Sequence, residues 1–166
     1  MMRSLLGQER TILRRGFSPL RRLRAPAPAG RVDVAAVCYR VRGGEPEFLL
    51  VRSRSGCWTF PKGGVEQDAT AADAAAREAY EEAGVTGRVD PTPFTSYRHR
   101  KARRIVQVHA HLFQVKGLNS PLEDDRDPTW FSADKAKRRL QKDRTPEFAA
   151  EVATVIDRAT KRIRLR

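Results

Sequence analysis

Three glutamates, Glu78, Glu81 and Glu82, stand close together in a chain of 166 residues. They fall in an alanine-rich run, Ala71-Ala72-Asp73-Ala74-Ala75-Ala76-Arg77-Glu78-Ala79-Tyr80-Glu81-Glu82-Ala83, and alanine is the strongest helix former. Residues three and four apart share a helix face, so the spacing predicts three carboxylates pointing one way. Such charges repel by roughly a few tenths of a kcal/mol per pair when exposed. A divalent cation turns that repulsion into attraction. Hard oxygen ligands in a row suit Mg2+ or Mn2+ rather than zinc. The plain alternative is a solvated acidic face, the usual meaning of a charge run.

The flanks of the run argue against the plain alternative. Gly63 and Gly64 precede it, Arg77 adjoins Glu78, and Gly84 stands where a helix-ending glycine belongs. Thr70 can cap the helix start, with Asp73 three residues on. Together these residues resemble the Nudix box, a Gly, five residues, Glu, seven residues, then Arg-Glu-apolar-x-Glu-Glu-x-Gly-apolar. Counted from Gly63, the chain puts Arg77, Glu78, Glu81, Glu82, Gly84 and Val85 at family positions. It departs at Ala79, a small apolar residue, and at Ala69, where the family has its first glutamate. In the family that glutamate supports the loop–helix junction and the later ones bind metal. Asp68 or Glu66 is expected to substitute in part, for instance by pairing with Arg77. The approach Trp58-Thr59-Phe60-Pro61-Lys62-Gly63-Gly64 also resembles the family.

The resemblance implies an α/β fold, the Nudix-type α/β/α sandwich with a mixed β-sheet between helices. It implies metal-dependent phosphoanhydride hydrolysis, with Glu78, Glu81 and Glu82 as catalytic and metal-binding residues and Mg2+ (or Mn2+) as cofactor. Gly63, Arg77 and Gly84 are then structural. The pattern is most similar to the diphosphoinositol polyphosphate and diadenosine polyphosphate hydrolases. These share twelve residues between Gly-Gly and Arg, and a basic loop before the late strand. Two other readings stand beside it: a 5′ pyrophosphohydrolase of RNA or pyrophosphatase of nucleoside triphosphates, and a Nudix-like module that binds polyanions with little turnover. Ala69 is the feature that favours the last.

The charge agrees with an anionic substrate. Lys and Arg number 33 against 20 Asp and Glu, a net charge of +13, which favours polyphosphates, nucleic acid or anionic membrane as partners. No apolar run approaches the length of a membrane span. Two cysteines, Cys38 and Cys57, make neither a disulfide framework nor a zinc site, and a reducing, cytoplasmic setting is expected. Cys57, with no histidine near it in sequence, reads as a semi-buried filler rather than a nucleophile. Residues 1–30 form a basic arm ending in the Pro/Ala linker Ala25-Pro26-Ala27-Pro28-Ala29-Gly30. The arm is free to contact nucleic acid or pack on the domain. A mitochondrial transit peptide is the alternative for so arginine-rich a start.

The positioning elements follow from periodicity. Residues 31–166 read as the hydrolase domain. Val32 to Val41 and Phe48 to Arg52 are strands joined by a turn at Gly43-Gly44-Glu45-Pro46. After the helix come short strands at Val85 to Val89 and from Phe94. Arg98-His99-Arg100-Lys101-Ala102-Arg103-Arg104 reads as a basic turn. Its Arg98, Arg100, Lys101, Arg103 and Arg104, with Lys62, are the expected phosphate-binding residues. The next strand alternates, with Gln107, His109 and His111 on a polar side expected to line the cleft or face solvent. By the family resemblance, Glu123, in the acidic loop Glu123-Asp124-Asp125-Arg126-Asp127, is a further candidate for metal ligand or base. Thr129 to Phe131 is a late strand, Ser132 the N-cap of a short helix, and Pro146 to Ile163 a final amphipathic helix.

Overall fold

Strand β1 (Asp33–Arg42) runs through the middle of the sheet and is covered on both faces. Val34, Ala36 and Cys38 belong to one apolar cluster, while Ala35, Val37 and Tyr39 belong to another. A nearly continuous apolar run is what a strand buried on both sides requires. The structure is a computed structural model that describes residues 32–166, so the basic arm expected over residues 1–30 lies outside the described residues.

Gly43 and Gly44, both at positive φ, turn the chain tightly into β2 (Glu45–Arg52), antiparallel to β1. The expected turn is shorter than its sequence suggests. Pro46 is already in the strand, opposite Val41, at a strand beginning where proline is tolerated. Two short strands follow that periodicity does not reveal, β3 (Trp58–Thr59) on β2 and β4 (Lys62–Gly64) on β1. Helix α1 (Ala71–Ala83) then leads through Gly84 into β5 (Val85–Val89). Strands β6 (Thr95–Lys101) and β7 (Arg104–Leu118) form a hairpin. Strand β8 (Thr129–Ser132), helix α2 (Ala133–Gln141) and helix α3 (Pro146–Arg164) complete the order.

The sheet has eight strands along the path β3-β2-β1-β7-β5, with β4 on β1, β6 on β7 and β8 on β2. β1 and β7 are parallel and the other pairs antiparallel, so the sheet is mixed. Helix α1 covers one face through Ala74, Ala75, Ala79 and Ala83, packed with Val34, Ala36, Leu49 and Phe113. Helices α2 and α3 cover the other through Leu140, Val152, Val155 and Ile156. The result is the expected α/β/α sandwich. The alanines explain why α1 lies so near the sheet, since small side chains permit close approach of the backbones.

Two expectations fail locally. The basic segment is not a turn: Arg98 to Lys101 lie within β6, and the reversal is confined to Ala102 and Arg103, with Ala102 at φ 53°. Pairing with β7 extends the strand into a run of charges that sequence reads as loop. His111 neither lines the cleft nor faces solvent. It is 0 % exposed, with Nδ1 hydrogen-bonded to the Asp90 carbonyl at 2.9 Å. It lies in the middle of β7, where four successive residues from Ala110 to Phe113 are all buried. His109, at the margin of that stretch, is half-buried.

Candidate active site

Helix α1 begins and ends on the residues that sequence assigns. Thr70 Oγ1 accepts the Asp73 N–H at 3.1 Å, satisfying one orphan donor of the first turn. Gly84 takes the left-handed conformation at φ 66°, and its N–H bonds to the Tyr80 carbonyl. Between these caps the three glutamates divide. Glu78 and Glu82, one turn apart, point inward and are 1 % and 6 % exposed. Glu81 is half-buried on the shoulder of the helix, 3.9 Å from Arg77 Nε. The single face read from spacing is thus two inward carboxylates and a third beside them.

The loop before the helix closes over Glu78. A Cβ on Gly63 would stand 2.1 Å from Glu78 Oε1, so only glycine lets the β4 backbone pass this carboxylate. Arg77 fastens the same junction. Its Nη2 donates to the Gly64 carbonyl at 3.1 Å and lies 3.4 Å from Glu78 Oε1, while Nη1 pairs with Glu66 at 3.0 Å. Glu66 therefore makes the ion pair expected of a substitute for the glutamate missing at Ala69, and no Asp68–Arg77 pair is present among the described residues.

Glu82 has two further partners. The Lys62 N–H donates to its Oε2 at 3.3 Å, and Arg126 Nη2 lies 3.6 Å from its Oε1. Arg126 is almost wholly buried. It also donates through Nε to Glu123 Oε2 at 2.5 Å and through Nη1 to the Arg52 carbonyl at 3.2 Å. Glu123 thus reaches the carboxylate site through Arg126. Sequence reasoning misses this arginine because an Asp-Asp-Arg-Asp loop reads as solvated. Burial pushes the Glu82 carboxyl up to about 7, Glu78 and Glu123 adding to the rise against Arg126 and Lys62.

A second group of charged side chains adjoins Glu82 on the side of α2 and α3. Lys62 and Lys101, two of the residues that sequence nominates, belong to it. His99, Tyr97 and Arg144 join them, none of which the sequence singles out. Burial lowers Lys62 below the ordinary lysine value, and Lys101 and Arg144 act in the same direction. Burial, with the charges of Lys62 and Arg144, depresses His99 to about 4. Arg144 reaches in from the α2–α3 connection, held by the Trp58 carbonyl at 3.0 Å and by the Leu140 carbonyl. Tyr97 Oη is buried with no hydrogen-bond partner among the described residues. The hairpin arginines mostly stand elsewhere. Arg98 is engaged by Glu151 of α3, with Nε donating to Oε1 at 2.6 Å. The Arg98 and Arg100 guanidinium groups rest over the Phe148 ring. Arg103 and Arg104 are exposed at the hairpin tip.

Among the described residues no three His, Cys, Asp or Glu side chains converge on one point as a complete protein cage for a metal. Mg2+ does not need such a cage, since it is ordinarily held by one or two carboxylates together with waters and substrate phosphates. Glu78 and Glu82 fit that role. They are an all-oxygen pair, buried, one helical turn apart, and burial makes Glu82 resist ionisation despite Arg126 beside it.

A family model for the NUDIX domain matches residues 30–152. The human diphosphoinositol polyphosphate phosphohydrolase NUDT4B is 32 % identical over 145 residues, covering 85 % of this chain and 72 % of that protein. A rat diphosphoinositol polyphosphate phosphohydrolase 2 is 34 % identical over 110 residues, covering 64 % of this chain and 61 % of its own. Among solved structures, an Ap4A hydrolase of C. elegans superposes with a TM-score of 0.65 at 21 % identity, covering 80 % of this chain and 98 % of its own. That structural likeness bears on the fold. Nudix hydrolases as a class use divalent metal ions. With the box, the sandwich and the family model in agreement, the chain belongs to the Nudix family and is a hydrolase of it.

Proposed function

We propose that the protein cleaves a phosphoanhydride bond in a polyphosphorylated substrate of the diadenosine polyphosphate or diphosphoinositol polyphosphate type. The observation that carries this reading is the juxtaposition of buried Glu78 and Glu82 with the cations Lys62, Lys101 and Arg144. Carboxylates for a cation and cations for phosphates adjoin at Lys62, whose own N–H touches Glu82.

In this reading Glu78, Glu81 and Glu82 hold Mg2+ or Mn2+, and bound there the ion neutralises phosphoryl oxygens and makes a water more acidic. Lys62, with Lys101 and Arg144, holds the polyphosphate against the helix. Arg103 and Arg104 attract it from the hairpin tip. Arg98 and Arg100 contribute less, being drawn toward Glu151 and Phe148. Water attacks one phosphorus, its proton passes to a glutamate carboxylate, and the bridging oxygen leaves with the other phosphoryl group. Arg77 and Gly63 orient Glu78, and Arg126 orients Glu82 and Glu123. The free cysteines fit a reducing compartment.

Release of phosphate should be measured with Mg2+ and Mn2+ against diadenosine polyphosphates, inositol pyrophosphates, nucleoside triphosphates and 5′-triphosphate RNA. Metal-dependent release from one of the first two classes is expected. Glu82→Gln should lower kcat by about a thousandfold or more with the melting temperature retained, since it removes a charged group that acts on the reacting centre. Wild-type rates in that variant would end the metal-helix reading.

A further inference from the structure

The cationic group beside Glu82 contains a carboxylate that the proposed chemistry does not use. Asp33 opens β1 and is 5 % exposed. Its Cα partners are Gly64 on β4 and Val108 on β7, and Val108 in turn pairs with Tyr97 on β6. Cross-strand partners share a face, so Asp33 and Tyr97 project to the same side of the sheet. Lys62, opposite Ala35, lies one diagonal step from Asp33 on that side. Lys101 reaches back from the hairpin to donate to Asp33 Oδ2 at 3.1 Å. The negative field of Asp33 is felt at Lys62, Tyr97 and His99.

A buried carboxylate here has two effects on an arriving anion. It shares Lys101 with the ligand, and it repels each negative charge brought into the site. The repulsion grows with the charge of the ligand. A linear polyphosphate with uncharged nucleoside ends brings few charges and can thread past. An inositol ring with phosphate on every carbon brings many, and the repulsion from Asp33 grows with each. We infer that Asp33 is a specificity-determining residue, tilting this cleft toward linear polyphosphates with uncharged ends and against polyphosphorylated rings. The inference deepens the proposed function and rests on it for the location of the substrate.

The test compares the full-length wild type with Asp33→Asn, titrating diadenosine tetraphosphate and inositol hexakisphosphate by calorimetry in EDTA. The variant should move the affinity ratio toward the ring compound by about tenfold or more at low salt. Equal changes for both ligands, or a ratio moving the other way, overturn the inference. Thermal melting accompanies each titration. Should Asp33→Asn fail to fold, Lys101→Gln serves in its place. It leaves Asp33 uncompensated and should move the ratio against the ring, and an unmoved ratio overturns the inference. Hydrolysis is read separately with Mg2+. The wild type should show the higher kcat/KM for diadenosine tetraphosphate over a diphosphoinositol pentakisphosphate, and the reverse order overturns the assignment. No release from either, with the binding ratio shifted as expected, would leave the Asp33 effect standing and fail the proposed substrate class instead.

Discussion

Gly63 and His99 show how single residues set the chemistry of the cleft. The strand backbone at Gly63 lies so near Glu78 that one methyl group would displace the carboxylate, because a Cβ there stands 2.8 Å even from the more distant oxygen. Gly63→Ala should lower kcat about a hundredfold through misplacement of Glu78 and cost roughly 1–3 kcal/mol in stability by overpacking. Steady-state kinetics and urea unfolding would check both. His99 reports on the cations around it. Its value of about 4 lies below the unfolded one near 6.5, so between those pH values the unfolded chain binds more protons. Its contribution to stability is therefore present above pH about 6.5 and is lost as pH falls toward 4. His99→Gln should flatten that part of the stability profile. Inorganic tripolyphosphate, binding among Lys62, Lys101 and Arg144, should raise the His99 pKa, as followed by its imidazole NMR signals. A titration that tripolyphosphate leaves unmoved would place the anion elsewhere.

At the scale of elements, the junction between β4 and α1 decides what the departure at Ala69 means. Arg77 ties the Gly64 carbonyl, Glu66 and Glu78 into one cluster, so the loop is already fastened without a glutamate at position 69. Ala69→Glu should therefore change kcat by less than about threefold and stability by under about 0.5 kcal/mol. Glu66→Gln should cost up to about 1 kcal/mol, the range for an ion pair with one largely exposed partner. A large gain from Ala69→Glu would show that Glu66 does not replace the family glutamate. The helix itself was legible because its signals are local: alanine run, Thr70 cap, Gly84 stop. β1 was legible because burial on both faces leaves an apolar run. Strands β3 and β4 were not, since two or three residues have no period, and they exist only through pairing with β2 and β1. Nor could sequence separate Glu81 from Glu78 and Glu82. Their spacing shares a face, but the division depends on which part of that face the glycine loop covers. Arg126, Arg144 and His99 were hidden for a related reason. Each belongs to a charged segment that reads as solvated, and only tertiary packing turns it inward.

The molecule as a whole carries +13, and the distribution of that charge matters more than its sum. Several surface arginines are neutralised locally, Arg40 by Glu47, Arg98 by Glu151, Arg164 by Glu45 and Arg166 by Asp90. Near the carboxylate helix, by contrast, Lys62 and Arg144 are half-buried, and Arg103 and Arg104 stand exposed at the hairpin tip. In the proposed reading a polyanion approaching from solution meets the exposed arginines first and the half-buried cations last. Exposed charges act over a Debye length of about 8 Å at physiological salt, whereas partly buried ones are screened far less. The two groups should therefore separate kinetically. Raising NaCl from 50 to 300 mM should lower kcat/KM for a polyphosphate substrate by about tenfold and change kcat much less, because steering affects encounter and not the bound state. Arg103→Gln combined with Arg104→Gln should lower kcat/KM severalfold at 50 mM and flatten the salt dependence. Lys62→Gln should lower kcat/KM while leaving the slope with salt nearly intact, since its charge acts at contact distance. If the hairpin variant keeps the full slope, the attraction arises from the remaining charge of the molecule, and the arginines at the tip play no part in capture.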